Sequence, residues 1–273
     1  MPVPTIVLDS VTHLLPEHRG CAAACASHGG AYAALYAAHM GVGAVILNDA
    51  GIGREGAGRA GIDLIERMHI PAACVSHRSC RIGDGPDMMA RAVLSCVNGS
   101  AAAFGLIPGM ACAAALERLA TAALRPAGHG PLPLEARRDV PLLGRSNVRV
   151  VVMDSISLVV PGDAGHIVVS GSHGGLLGGR PETAVKVPVF AAVFNDAGVG
   201  CDEAGIARLP ALDARGIAGA CVSAFTARIG EGTSTLDDGW ISALNDKARR
   251  HGGEVGQRCV AFVEAMVAAR AKD

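Results

Sequence analysis

Short apolar runs alternate with amphipathic stretches along the whole chain, and the alternation is laid down twice. In the first half, residues 6–8 form an apolar run that ends in Asp9-Ser10. A second run ends in Ser27-His28-Gly29-Gly30, a third (44–47) in Asn48-Asp49-Ala50-Gly51, and a fourth is Ala73-Cys74-Val75-Ser76. The second half has the same four: 150–153 before Asp154-Ser155, 166–170 before Ser172-His173-Gly174-Gly175, 191–194 before Asn195-Asp196-Ala197-Gly198, and Ala220-Cys221-Val222-Ser223. Runs of this length, rich in aliphatic residues and bounded by Gly and Pro, predict strands.

The intervening stretches carry helical periodicity. They predict helices over residues 31–40, 60–68 and 87–104, then 110–124. The second half predicts helices over 204–214, 234–251 and 255–271. Where helix 31–40 has its counterpart, Gly178, Gly179 and Pro181 interrupt the pattern, so that segment is expected to be looser. Strands alternating with helices predict an α/β fold: two tandem pseudo-symmetric repeats, each a layered α/β unit with a largely parallel sheet. The expected boundaries are 1–124 for the first repeat, 125–146 for a linker rich in Pro, Gly and Arg, and 147–273 for the second repeat.

Composition narrows the class. Half of the 273 residues are hydrophobic but only 3% are aromatic, so the core is expected to be built from small aliphatic side chains around many Gly-mediated turns. The formal net charge is −1 and no basic run exists, which argues against nucleic acid and anionic membranes as partners. No apolar stretch is long enough to span a bilayer, and the N-terminal residues lack the basic region of a signal peptide. A cytoplasmic protein is expected. Its nine cysteines are then free thiols rather than a disulfide framework. The large apolar fraction predicts a homo-oligomer.

The repetition also acts as a filter on chemistry, since polar residues kept in both halves at one place in the plan stand out. They are Asp9/Asp154, Ser10/Ser155, Ser27/Ser172, His28/His173, Asn48/Asn195, Asp49/Asp196, Ser76/Ser223, Arg81/Arg228, Ser95/Ser242 and Asn98/Asn245, with the glycine pairs Gly29-Gly30 and Gly174-Gly175. Most of them follow an apolar run and so fall at the carboxyl edge of a strand, where open α/β sheets bind ligands. His28 and His173 are the candidate general bases or acids, with Asp49 and Asp196 orienting them. Arg81 and Arg228 are candidates to hold a substrate carboxylate, against the alternative of an ion pair tying two loops together. The amides of Ser-His-Gly-Gly are candidates for an oxyanion site, with Ser27, Ser172, Asn48, Asn195, Ser76 and Ser223 as further binding groups. Capping of the next helix competes as an explanation for each Asp, Asn and Ser.

This set fits an enzyme acting on a small anionic metabolite, by hydrolysis of an amide or ester or by proton abstraction beside a carbonyl. No cofactor is specified. The cluster His18, Cys21, Cys25 and His28 is not reproduced in the second half, so no metal site is expected. Cys74 and Cys221, one per half, resemble the thiol pair of the aspartate/glutamate-type racemases, although Val-Ser follows both here. That likeness implies a two-thiol racemase as the alternative enzyme. A non-catalytic ligand-binding protein is the third expectation.

Overall fold

The computed structural model describes residues 2–126, 132–141 and 148–272. Residues 127–131 and 142–146 of the expected linker, and residue 147, the first of the expected second repeat, lie outside the described residues. The first unit places β1 (Thr5–Leu8), β2 (Ala22–His28), α1 (Ala31–His39), β3 (Ala44–Asn48), α2 (Ala60–Glu66), β4 (Ala72–Val75), α3 (Gly85–Arg91), β5 (Leu94–Val97), α4 (Gly99–Ala103) and α5 (Cys112–Thr121). A short strand β6 (Arg137–Asp139) follows. The second unit has β7 (Val150–Met153), β8 (Ile167–His173), β9 (Ala191–Asn195), α6 (Arg208–Asp213), β10 (Ala218–Val222), α7 (Gly232–Asp237), β11 (Ile241–Leu244), α8 (Asp246–Arg250) and α9 (Cys259–Arg270).

Each unit is a mixed, mostly parallel sheet with helices on its faces, the α/β fold that the alternation predicts. Strands β1 to β4 run parallel in sequential order and β5 closes the edge antiparallel. Strands β7 to β10 repeat that order, β11 closes one edge antiparallel, and β6 pairs antiparallel with β7 at the other. Side-chain direction alternates along a strand, so each strand feeds two cores. In the first unit, Ala23, Val45 and Leu47 pack with Ala33, Ala37, Ile62 and Ile65 of α1 and α2. Ala22, Ala24 and Ile46 pack on the opposite face with Met88, Leu116 and Leu119. Among the described residues, no helix is long and apolar enough to cross a membrane.

Two expectations are corrected. The long closing helices, 87–104 and 234–251, are each a helix, a strand and a second helix: α3-β5-α4 and α7-β11-α8. Asn98 and Asn245 start the second helices by accepting the N–H groups of Ala101 and Ala248, a capping role that ends the preceding strand. The expected linker also contributes structure, because β6 is hydrogen-bonded into the second sheet.

The units meet through the turns after β3 and β9. Ala50, Gly51, Ile52 and Gly53 all have positive φ, as do Ala197, Gly198, Val199 and Gly200. Such a left-handed run costs free energy, most of all at β-branched Ile52 and Val199. It brings the two backbones into direct contact: a Cβ added to Gly51 would lie 2.8 Å from the Cα of Gly198. Ala50, Ile82, Ala197, Ala204 and Ile229 form a small apolar cluster there. Backbone bonds cross the junction in matched pairs, from Arg54 N–H to the Ala224 carbonyl (2.7 Å) and from Cys201 N–H to the His77 carbonyl (2.8 Å). Gly51→Ala is therefore expected to lower stability by roughly 2–4 kcal/mol, since it combines backbone clash with an unfavourable φ. Chemical denaturation measures this, and an unchanged midpoint would remove the contact from the account.

Candidate functional site

The groove between the units is a polar cleft. Its narrow end, about 60 Å³, is lined by Ser10, Ser27, His28 and Tyr32 of the first unit, by Ser155, Ser172, His173 and Gly230 of the second, and by Glu135 and Asp154. Ser10, Ser155, Ser172 and His173 also line a wider lobe of about 340 Å³ that opens on the second unit. The structure thus brings the two histidines and the two Ser-His serines into one cavity.

Local backbone geometry explains why the histidines point inward. β2 pairs with β3 in regular register from Ala22 to Ala24, then slips before His28 meets Asn48. β8 makes the same slip before His173 meets Asn195. A bulge bends a strand and re-aims the side chains after it. Ser27 Oγ accepts the N–H of Val11 (2.9 Å) and Ser172 Oγ accepts that of Ile156 (2.9 Å), fixing both bulges to the loop after the first strand of each unit. Each imidazole then lies against a glycine of the other unit. A Cβ on Gly230 would sit 3.3 Å from His28 Cε1, and one on Gly83 would sit 3.4 Å from His173 Cε1.

The imidazoles are held in one protonation state. His28 Nδ1 accepts the N–H of Gly30 (3.1 Å), and His173 Nδ1 accepts that of Gly175 (3.1 Å). A nitrogen that accepts a fixed backbone donor carries no proton, so in the neutral ring the proton sits on Nε2. Burial pushes the His28 pKa down to about 4 and holds that of His173 well below the usual histidine range, with the Arg208 charge adding to the effect. Both are neutral Nε2–H donors at physiological pH. In this state each side chain presents an N–H to the cleft, and its Nδ1 is already engaged by a backbone donor, which does not favour the expected role of general base.

The other expected site residues are placed elsewhere. The amides of Ser-His-Gly-Gly have internal partners, because Gly29 and Gly174 donate to the Asn48 and Asn195 carbonyls (2.6 and 2.8 Å) while Gly30 and Gly175 serve the histidines. Oxyanion stabilisation by these amides is thereby corrected. Asp49 does not orient His28. Its Oδ1 accepts from Gly51 N–H, His77 N–H and His77 Nδ1 (2.8 Å); burial is the largest single influence and raises its pKa, but the His77 bonds and charge together hold the carboxyl below the usual range. Asp196 Oδ1 accepts from Gly198 and Ala224 N–H. Asn48 and Asn195 accept from Ala50 and Ala197 N–H. All four side chains brace the left-handed turns. Ser76 and Ser223 accept N–H groups two residues ahead, in turns.

Arg81 and Arg228 do not reach for a ligand's carboxylate. Arg81 pairs with Asp202 of the other unit (2.9 Å), and Arg228 with Glu55 of the other unit (2.8 Å). This is the loop-tying alternative, and such exposed pairs fix register more than they add stability. Cys74 and Cys221 are fully buried and their thiols are raised far above the usual range, mainly by the contact with Cys96 and burial for Cys74 and by burial for Cys221. A Cβ on Gly29 or Gly174 would fall 2.5 or 2.6 Å from their sulfurs, so they pack beneath the Gly-Gly turns instead of facing across the cleft. Thiols so placed are inert. Among the described residues, no group of three or more His, Cys, Asp or Glu is arranged to hold a metal ion.

Sequence reasoning missed Glu135. It has no mate in the repeat and falls in the expected linker. Asp154 pins its neighbour twice, accepting Ala136 N–H at Oδ2 (2.7 Å) and donating its own N–H to the Ala136 carbonyl (3.0 Å). Glu135 is thereby set in the cleft, half-buried, where burial raises its pKa against hydrogen bonds from Tyr32 and Ser155 that lower it.

The two cleft histidines make stability depend on pH. Their folded pKa values lie below the unfolded value near 6.5, so the unfolded chain binds more protons between the two. Their contribution is complete above about pH 6.5 and is lost as pH falls below it, for His28 through a window that ends at about 4. His28→Asn and His173→Asn, which keep an acceptor for the glycine N–H, are expected to flatten the dependence of Tm on pH in that window. Parallel curves for variants and parent would contradict the neutral assignment. Comparison of the chain with protein-family models, with curated proteins and with solved structures returned no match.

Proposed function

We propose that the protein is an enzyme that moves a proton at the carbon beside a carbonyl in a small anionic metabolite. The observation that carries this is the meeting of one carboxylate of raised pKa with two neutral imidazole donors in a single cleft. Glu135 is the general base: a carboxylate poised upward by burial takes a proton more readily than an exposed one. The Nε2–H groups of His28 and His173 donate to the carbonyl oxygen as negative charge develops on it. Neutral donors, already desolvated and fixed by Gly30 and Gly175, need no reorganisation during the reaction. The abstracted proton rests on Glu135 and returns to the same or a neighbouring carbon, so the class is isomerisation or racemisation by one base. This replaces the two-thiol route.

Hydrolysis of an amide or ester draws on the same groups, with Glu135 taking the proton from an attacking water. It stands second because neither cleft histidine is free to activate a serine: both Nδ1 atoms accept backbone N–H groups, and Nε2 carries the proton. The cytoplasmic location and homo-oligomeric state expected from composition remain part of the proposal.

Deuterium exchange tests it. In D₂O the parent protein is expected to exchange the proton beside the carbonyl of at least one member of a panel of 2-oxo acids and hydroxyketones, followed by NMR. Glu135→Gln is expected to slow that exchange by roughly 10²–10⁴-fold, and His173→Asn by on the order of 10²-fold. A parent rate no faster than buffer across the panel overturns the proposal, as does an unchanged rate in Glu135→Gln. Release of acid from ester or amide probes without exchange would select hydrolysis instead.

A further inference from the structure

The wider lobe of the cleft exists on the second unit only, and one substitution between the units shows why. In the first unit α1 lies tightly on α2: a Cβ on Gly61 would be 2.6 Å from the Cβ of Ala34. The residue at the place of Gly61 in the second unit is Arg208. The correspondence is fixed by backbone bonds, Gly61 N–H to the Gly29 carbonyl and Arg208 N–H to the Gly174 carbonyl. Gly178, Gly179 and Pro181 break the helix that would have covered this position, and residues 177–183 form two short 3-10 turns instead. The space left by the missing helix is the lobe.

Arg208 stands in the wall of that lobe in an unusual electrical state. It is 2% exposed. Its Nε donates to the His173 carbonyl (3.3 Å), and its Nη1 donates to the carbonyls of Thr183 (2.6 Å) and Ala184. Phe194 lies under the guanidinium, with its ring centre 5.0 Å away. Nη2 makes no hydrogen bond among the described residues, and none of their carboxylates is within ion-pair distance of Arg208. Burial lowers its pKa to about 10, which still leaves it charged at neutral pH. Leaving a buried charge without a counter-charge costs several kcal/mol, and a ligand that supplies one recovers much of that cost.

The rest of the lobe has the same sign. Arg180 and Lys186 line it with Arg208, against the single carboxylate of Glu182. Asp9 meets Arg180 only loosely, at 3.7 Å, and Arg180 remains 55% exposed. We propose that this lobe binds the oxyanion group of the ligand, a phosphate or a carboxylate, with Arg208 as its buried anchor and Lys186 and Arg180 at its rim. His173 links it to the narrow end, since its carbonyl accepts from Arg208 while its ring lines both compartments. Taken with the proposed function, on which this last step rests, the substrate is a carbonyl compound with a terminal phosphate or carboxylate. Its carbonyl lies between the histidines and its anionic end lies on the second unit.

Calorimetric titration with inorganic phosphate, and separately with acetate, at constant ionic strength tests the lobe without any turnover. Saturable binding of at least one anion is expected, tightest for the group the lobe is shaped to hold. The exposed pair Lys186→Ala and Arg180→Ala, which does not disturb the core, is expected to weaken it at least tenfold. Arg208→Met is expected to abolish it, provided circular dichroism shows the variant folded. Glu135→Gln is expected to bind the anion as the parent does, which separates failure of the lobe from failure of the catalytic assignment. Heat that tracks ionic strength alone, or saturable binding indifferent to Lys186 and Arg180, overturns the proposal.

Discussion

The cleft depends on the contact of two left-handed turns. Four successive residues of each unit hold positive φ so that Gly51 and Gly198 touch through their main chains. No turn with ordinary side chains could come as close. The strain at Ile52 and Val199 is sustained because Asn48, Asp49, Asn195 and Asp196 accept the turn amides from inside. Once the turns meet, each unit's Ile-Gly loop reaches the other unit's histidine. Gly83 is held by the Ala26 carbonyl of its own sheet and faces His173, while Gly230 is held by Gly171 and faces His28. Each half of the cleft floor is therefore completed by the opposite unit, and neither half is whole alone.

Departure from symmetry is what gives the cleft a direction. Matched residues supply its frame: the bulges, the serines that pin them, the two imidazoles. The unmatched ones supply charge. Glu135 arrives from the segment between the units, carried by β6, which has no counterpart in the first sheet. Arg208 replaces a glycine where a helix has been lost. Glu135 sits beside Tyr32 of the first unit and Ser155 of the second, and the buried cation sits beyond His173 on the second unit. The proposed ligand, with one carbonyl and one anionic end, would meet this polarity in a single orientation.

Much of the frame was legible in the sequence, because strand alternation and repeated polar tips are local patterns. The largely parallel sheets, and the place of His28 and His173 at strand ends, follow from them; the meeting of the two histidines in one cleft is a tertiary feature that local patterns do not carry. The strands β5 and β11 were hidden, since four residues between two helical stretches keep an apolar moment that reads as continuous helix. The repeat filter selected equally well for architecture and for chemistry. Asp49, Asp196, Arg81 and Arg228 recur because the junction of the units needs them twice, as turn braces and as crossed ion pairs. The same filter discarded Glu135 and Arg208, which act through having no mate. Gly178, Gly179 and Pro181 were the one visible sign of asymmetry, and they mark the place where the lobe opens.

The same physical effect acts on both kinds of cation in this cleft with opposite outcomes. Removal from water penalises charge, and an imidazole answers by giving up its proton, which a pKa pushed down to about 4 allows at no cost near neutrality. A guanidinium has no such escape. Even lowered to about 10 it remains ionised, so its penalty persists until an anion shares the site. The histidines are thus preset as uncharged donors, and Arg208 keeps a buried charge that the proposed anionic ligand would complete. Because the His173 carbonyl accepts from Arg208, settling of the guanidinium against an anion would bear directly on the residue proposed to donate to the substrate carbonyl. In the proposed function, binding energy gained at the anionic end is in this way available to position the reacting end beside Glu135.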